Sequence, residues 1–168
     1  MEIERVNFYP NMEVKQNWTR VKAFIINDKR EILLALSRGG CQLPGGHTEE
    51  GEDIMHCLLR ELREETGIDF DETFTRFFEA HYIGTDKMDS QILYHYCFSN
   101  KDYDLSKTKH TDREKEYNFT LKWVSLLDLP RVLEEYRKTT YIPINIAIID
   151  ELKLAYNCLL KLLENLEQ

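Results

Sequence analysis

From residue 19 to 27 the chain reads TRVKAFIIN, a run rich in β-branched and aromatic residues that predicts a strand. Asp28-Lys29 makes a turn and residues 31–37, EILLALS, make a second strand, so the pair is expected to form a hairpin. Residues 38–51 hold five of the chain's seven glycines together with Pro44, which marks a loop with special backbone geometry. The period then changes. Ile54, Leu58 and Leu62 recur every four residues with Met55 and Leu59 beside them, the stripe of a helix over 53–66 that Asp53 can cap and Gly67 can end. Strands follow over 76–84, 90–98 and 117–125, then a short helix over 127–137. Ile144, Ile148, Leu152, Tyr156, Leu159 and Leu163 fall at helical spacing, so the last 25 residues form an amphipathic helix. Residues 1–17 carry no legible pattern. Strands interspersed with helices give an α/β (α+β) fold with a mixed sheet.

Composition adds limits. A chain of 168 residues has length for one sizeable core and little more, so 1–168 reads as a single domain. A formal charge of −8 repels nucleic acid and anionic lipid, which argues against a stable nucleic-acid or membrane partner. A polyanionic small molecule would meet the same repulsion unless a cation were placed locally. Cys41, Cys57, Cys97 and Cys158 form no C-x-x-C pair and sit in or beside apolar stretches, the pattern of reduced, buried thiols. There is no apolar leader at the N-terminus and no run of about 18 apolar residues, so the expectation is a cytoplasmic protein. The stripe on the final helix can pack on the body or on a second copy, which leaves a homodimer open.

Chemistry concentrates between Gly45 and Ile68, GGHTEEGEDIMHCLLRELREETGI. Glu61, Glu64 and Glu65, spaced i, i+3, i+4, share roughly 100° of one helix face. Like charges that close oppose helix formation, and Arg60 and Arg63 offset only part of the repulsion. Hard oxygen donors without thiols or paired histidines suit Mg²⁺ or Mn²⁺ rather than Zn²⁺. A solvated charged face is the ordinary alternative. The turn Leu43-Pro44-Gly45-Gly46, which lets backbone approach a ligand closely, tips the weighing towards a site.

The segment resembles the Nudix box, G-x5-E-x7-R-E-U-x-E-E-x-G-U with U aliphatic. Gly46, Glu52, Arg60-Glu61-Leu62, Glu64-Glu65 and Gly67-Ile68 fill all nine specified positions, a far stronger match than a lone glycine motif. The likeness runs from about Thr19 to Leu129, through Leu43–His47 and the Trp123-Val124 strand end with Leu126 and Leu129 after it. It implies an α/β/α sandwich with the box as loop–helix–loop. It also implies Mg²⁺- or Mn²⁺-dependent hydrolysis of a nucleoside diphosphate linked to a group X, giving a nucleoside monophosphate and phospho-X. By the same resemblance Glu61, Glu64, Glu65 and the Gly46 carbonyl would hold metal. Glu61 would also orient or deprotonate the attacking water, with Arg60 and Glu64 as its catalytic companions. Arg60 would fix a glutamate by an ion pair, and Glu52 would stabilise the loop–helix junction. A further acid is expected before the Trp-bearing strand, where Asp112, Glu114 and Glu116 lie; Glu116 is preferred, then Glu114. Little activity without metal and an alkaline optimum follow.

Arg38 and His47, beside the glycine loop, are the substrate-binding candidates, while Arg20 reads rather as surface charge. His81 and His95 read as core-edge or surface residues. Phe77, Phe78, Tyr82, Tyr94 and Tyr96 read mostly as core or sheet face, with room for one base-stacking partner. No proline stands about fifteen residues past the box, where enzymes acting on ADP-ribose tend to carry one, and Tyr82 is early for the diadenosine polyphosphate marker. Nucleoside triphosphates, oxidised ones included, are the default substrate by analogy. Two other readings remain: a non-catalytic sensor of the same fold, disfavoured by the intact box, and an isoprenoid-diphosphate isomerase of similar fold, which needs a reactive cysteine such as Cys41.

Overall fold

Alternation along two strands sorts the core into layers. The structure, a computed structural model, describes residues 2–8, 17–83 and 89–166. In β2 (Thr19–Ile26) Val21, Ala23 and Ile25 face one way and Phe24 and Ile26 the other, since successive strand side chains alternate. β3 (Glu31–Ser37) repeats this, with Leu33 and Ala35 opposed to Ile32 and Leu34. The first face is covered by α1 (Ile54–Thr66) through Cys57, Leu58 and Leu62. The second is covered by α3 (Leu129–Thr139) and α4 (Pro143–Leu166) through Leu129, Leu133, Ile149, Leu152 and Leu159. Helix, sheet and helix thus stack as the sandwich that the sequence implies.

Among the described residues the sheet has seven strands, in the order β1 (Glu4–Phe8), β5 (Thr75–Ile83), β6 (Asp89–Phe98), β2, β3, β4 (Gly40–Gln42), with β7 (Thr120–Ser125) also on β3. It is mixed: β1–β5 and β2–β6 are parallel, and β5–β6, β3–β4 and β3–β7 antiparallel.

The expected β2–β3 hairpin holds only at its turn, where Ile26 pairs with Ile32. Beyond it the strands part. β2 runs along β6 from Thr19 to Ile26, and β3 runs along β7 from Glu31 to Leu36. The opening is filled by the chain that follows β3. β4 takes the free side of β3, and the glycine loop takes that of β2, with Ala23 N–H donating to the Pro44 carbonyl (3.2 Å), Val21 N–H to Gly46 (2.9 Å) and Thr48 N–H to Thr19 (3.0 Å). The loop predicted over 38–51 is therefore partly stitched into the sheet.

Other differences are smaller. β1, β4 and the five-residue α2 (Asp112–Glu116) are too short to show a period. The strand predicted from residue 117 begins at Thr120, because Asn118 sits at φ +53°, which a strand does not accommodate. His81 and His95 are buried rather than at an edge or surface. Gly84, at the end of the strand predicted over 76–84, and residues 167–168 lie outside the described residues. All four cysteines are buried and unpaired. Among the described residues no helix is long and apolar enough to cross a membrane.

Candidate active site

The glycine turn and α1 meet because each end of α1 is fixed locally. Asp53 accepts the Met55 and His56 amides at 3.0 Å, and the Gly67 amide closes on the Arg63 carbonyl at 2.9 Å. With the apolar stripe sunk into the sheet, Glu61 and Glu65 turn towards residues 45–46. The Gly45 amide donates to Glu65 Oε2 at 2.8 Å. A Cβ on residue 46 would lie 2.3 Å from Glu61 Oε2, so the Glu61 carboxylate occupies space that only glycine leaves free. Gly45 is held differently: its φ is +125° and a Cβ there would lie 2.1 Å from the Val21 carbonyl oxygen. This contrast makes a prediction. Gly45→Ala is expected to destabilise the fold by about 2 kcal/mol or more. Gly46→Ala, meeting only a movable side-chain tip, is expected to melt like the parent and lose about 10²-fold in turnover by displacing Glu61. Thermal melts and steady-state rates of the two variants would show it, and equal melting losses would refute it.

Arg60 organises the other carboxylates. Its Nε and Nη2 grip Glu52 at 2.8 and 2.9 Å, its Nη1 reaches Glu61 at 2.8 Å and Glu64 at 3.4 Å, and Nη2 also donates to the His47 carbonyl at 3.0 Å. Glu52 in turn accepts the Glu49 amide at 3.0 Å, which ties the loop to the helix start. Arg60's hydrogen bonds hold the Glu52 carboxyl down at about 2. Glu64 is half-buried and borders a cavity of about 440 Å³ that it shares with Arg60, Arg63, Lys107 and Lys109.

Beneath the turn lies Lys22, which is buried. Its ammonium donates to the carbonyls of Gly45 (2.5 Å) and Leu43 (3.0 Å) and to Gln42 Oε1 (3.2 Å). Burial pushes the Glu65 carboxyl up and the Lys22 ammonium down, and each charge opposes the other's shift. Burial also raises Glu61, against the pull of Arg60.

The donor chemistry suits a divalent cation. Glu61, Glu64, Glu65 and the Gly46 carbonyl are all hard oxygens, and two of the carboxylates sit where burial leaves their charge under-compensated. They do not stand as a formed cluster: among the described residues no three His, Cys, Asp or Glu side chains are grouped as metal ligands. Carboxylates repel one another, so each is drawn to its nearest positive partner, Arg60 for Glu61 and Glu64, and the Gly45 amide for Glu65.

The remaining candidates fall as follows. His47 is exposed, and its Nε2 accepts the Arg20 Nε–H at 2.9 Å. Desolvation, with Arg20 and Lys22 nearby, pushes its pKa down to about 4. Arg38 is exposed, with its guanidinium 4.8 Å from the Tyr117 ring centre. Glu116 is exposed on α2 and makes no polar contact with the box among the described residues. Glu114, the second choice, is half-buried and its charge acts on Glu65; it also closes a capping box with Thr111. Cys41 is buried, which pushes its thiol up to about 12 and makes it a poor nucleophile.

Lys22 and Glu151 escape the sequence reading, and Arg20, read there as surface charge, is half-buried. Lys22 and Arg20 are charged residues two apart in a strand that is otherwise apolar, hence on one inward face, and that spacing was the available signal. Glu151 of α4 is buried and accepts the hydroxyls of Tyr82 and Tyr94; nothing along the helix sets it apart from a surface glutamate. Burial raises its carboxyl from 4.5 to about 7, opposed by the two tyrosine hydrogen bonds and by Arg20 and Lys22. Its favourable contribution is therefore intact below about pH 4.5 and lost as pH rises through about 7. Glu151 should account for about 3 kcal/mol of the wild type's loss of stability across that window, and Glu151→Gln should make the fall shallower by about that much. Urea unfolding at either end of the window tests this; parallel pH profiles would contradict it.

Residues 17–142 match a family model described as NUDIX domain. The chain is 45% identical over 49 residues to an RNA pyrophosphohydrolase of Ruthia magnifica subsp. Calyptogena magnifica, covering 28% of this chain and 27% of that protein. It is 44% identical over 54 residues to an 8-oxo-dGDP phosphatase of Danio rerio, covering 29% of this chain and 17% of that protein. The match thus spans roughly a quarter or less of each of these relatives. The crystal structure of a MutT NUDIX hydrolase from Burkholderia pseudomallei superposes with a TM-score of 0.56 at 20% identity, over 81% of this chain and 98% of that one, a likeness of fold.

Proposed function

The chain belongs to the NUDIX family, and from that premise we propose that it hydrolyses the diphosphate bond of a nucleoside diphosphate linked to X, releasing a nucleoside monophosphate and phospho-X. The observation that carries the proposal is the seating of Glu61 and Glu65 against the Gly45-Gly46 turn, with Glu64 beside them on the exposed flank. The names of the two relatives, both nucleotide phosphatases or pyrophosphohydrolases, support a nucleotide substrate.

Members of the family generally need a divalent metal. In this chain Glu61, Glu64, Glu65 and the Gly46 carbonyl would hold it, with Mg²⁺ or Mn²⁺ favoured by the all-oxygen donors. When bound, such an ion polarises a phosphoryl oxygen and acidifies water. The chain's own groups do the rest. Arg60 holds Glu61 and Glu64 by hydrogen bonds, and Glu61 would orient water and take its proton. Lys22 fixes the carbonyls of the turn, so the backbone facing the diphosphate is rigid before substrate arrives. Arg38 lies to one side as a binding group. Glu114 rather than Glu116 supplies the acid outside the box. The high thiol pKa of Cys41 speaks against isomerase chemistry, which requires a thiolate.

The test is incubation with Mg²⁺ and a panel of nucleoside triphosphates, oxidised triphosphates and diphosphate conjugates, followed by chromatography of the products. Monophosphate release that EDTA abolishes and Mg²⁺ restores is expected. Tight nucleotide binding with no turnover under Mg²⁺ or Mn²⁺ would instead favour a sensor.

A further inference from the structure

Three guanidiniums gather where the fold gives them no counter-ion. Arg20, Arg38 and Arg113 line one cavity of about 240 Å³, with Gln42, Tyr117 and Asn145. Among the described residues none of the three forms an ion pair with a carboxylate, whereas Arg5, Arg60, Arg63, Arg76, Arg131 and Arg137 each do. Glu151 acts on Arg20 electrostatically from the core, but its oxygens are taken by Tyr82 and Tyr94. In a chain of net charge −8 carboxylates are plentiful, so a concavity that collects cations without them is ready for an anion.

The groups are also held in place. Arg38 and Arg113 lie over the Tyr117 ring at 4.8 and 5.6 Å from its centre, and Arg20 lies over Trp18 at 4.7 Å. Arg20 commits only its Nε–H, to His47, which leaves its terminal amines to a ligand. Arg38 sits at φ +49°, a conformation that costs energy in a residue with a Cβ. It is kept there by its amide on the Tyr117 carbonyl (3.1 Å) and by Asn145 on its own carbonyl (3.3 Å). Planar, preset guanidinium forks match the oxygens of a phosphoryl group.

Position says which phosphoryl group. Arg20 and Lys22 share one face of β2, about 7 Å apart along the strand. Lys22 bridges Gln42, which lines the cavity, to Gly45 of the turn. The cavity therefore opens one short step from where the cleaved diphosphate would sit.

We propose that this cavity receives a phosphoryl group carried by the substrate in addition to the two joined by the cleaved bond. The inference rests on the hydrolase reading above and narrows its substrates to diphosphates bearing a further phosphate. That phosphate can extend the 5′ chain or esterify the sugar; the chemistry presented to the arginines is the same.

Calorimetric titration without divalent metal compares ADP, ATP and the 3′-phosphate of ADP on the wild type and on Arg38→Gln and Arg113→Gln, both at exposed positions. One of the two ligands with a third phosphate is expected to bind about tenfold more tightly than ADP, and each variant is expected to lose that preference with an unchanged melt. ATP as the favoured ligand means a chain phosphate, and the 3′-phosphate of ADP means a sugar phosphate. Equal binding of all three, or a preference that survives in both variants, overturns the inference. Turnover with Mg²⁺ on ADP, ATP and the 3′-phosphate of ADP keeps the two readings apart. Hydrolysis with no arginine-dependent preference sinks this inference alone, whereas an arginine-dependent preference with no hydrolysis sinks the hydrolase reading and leaves the phosphate site standing.

Discussion

A Glu64→Gln variant is expected to melt with the wild type and to lose about 10²–10⁴-fold in kcat. Glu64 is half-buried on α1, its side chain is 37% exposed, and its contact is a 3.4 Å approach to Arg60, whose guanidinium already holds Glu52 and Glu61 more closely. An exposed ion pair of that length adds little to stability, and the apolar stripe that docks α1 is untouched. Changing one oxygen for an amide removes a negative charge and a hard donor while keeping shape. If that charge serves only to solvate the helix, turnover will stay within a few-fold of wild type. Steady-state rates with Mg²⁺, read beside a thermal melt, decide between these outcomes. A variant that unfolds and shows no separable catalytic loss would also count against the assignment.

Lys22→Met is expected to cost about 3–5 kcal/mol of folding stability, because it breaks a buried charge arrangement on one side only. Lys22 is 6% exposed, and its ammonium satisfies three oxygens, two of them backbone carbonyls of the glycine turn. Its charge is also the main electrostatic support of the buried Glu65 carboxylate. Methionine matches its length and leaves those acceptors without a donor. The companion change makes the argument quantitative. Lys22→Met combined with Glu65→Gln should cost less than the two single losses added together, because the second change removes the charge that the first had stranded. Urea unfolding of the four proteins gives the coupling. Simple additivity would mean that Lys22 braces the turn and does nothing for Glu65.

How far each feature could be read in advance depended on its length and on where its partners lie. α1 was legible to the residue, because its stripe, its Asp53 cap and its Gly67 terminus all lie within fifteen positions of one another. The long strands were legible for the same reason, through runs of β-branched and aromatic residues that need only neighbours. β4, with three residues, and α2, with five, offer no period at all. The parting of β2 from β3 was hidden because the turn between them is compatible with a full hairpin. Between the parted strands runs a loop more than fifteen residues further along, which takes the hydrogen bonds of β2 on that side. Arg20 read as surface charge because its two-residue spacing from Lys22 marks only a shared strand face; Trp18, His47 and α4, which border it, come from other parts of the chain. Glu116 was preferred to Glu114 from the resemblance, which says nothing of surroundings; in the fold Glu116 is exposed on α2, while Glu114 is half-buried and its charge acts on Glu65.

The order of residues by itself determined the interspersed strands and helices of an α/β fold, the acidic helix face and the glycine turn that precedes it, since each is written in contacts between near neighbours. Only the tertiary structure decided that Lys22 would lie beneath that turn, that Glu151 would be buried between two tyrosines, and that three arginines from β2, the β3–β4 turn and α2 would share one cavity. Those groups are brought together by strand pairing across long stretches of chain. Their charge states follow from desolvation, a property of the assembled surroundings that no local stretch of sequence contains.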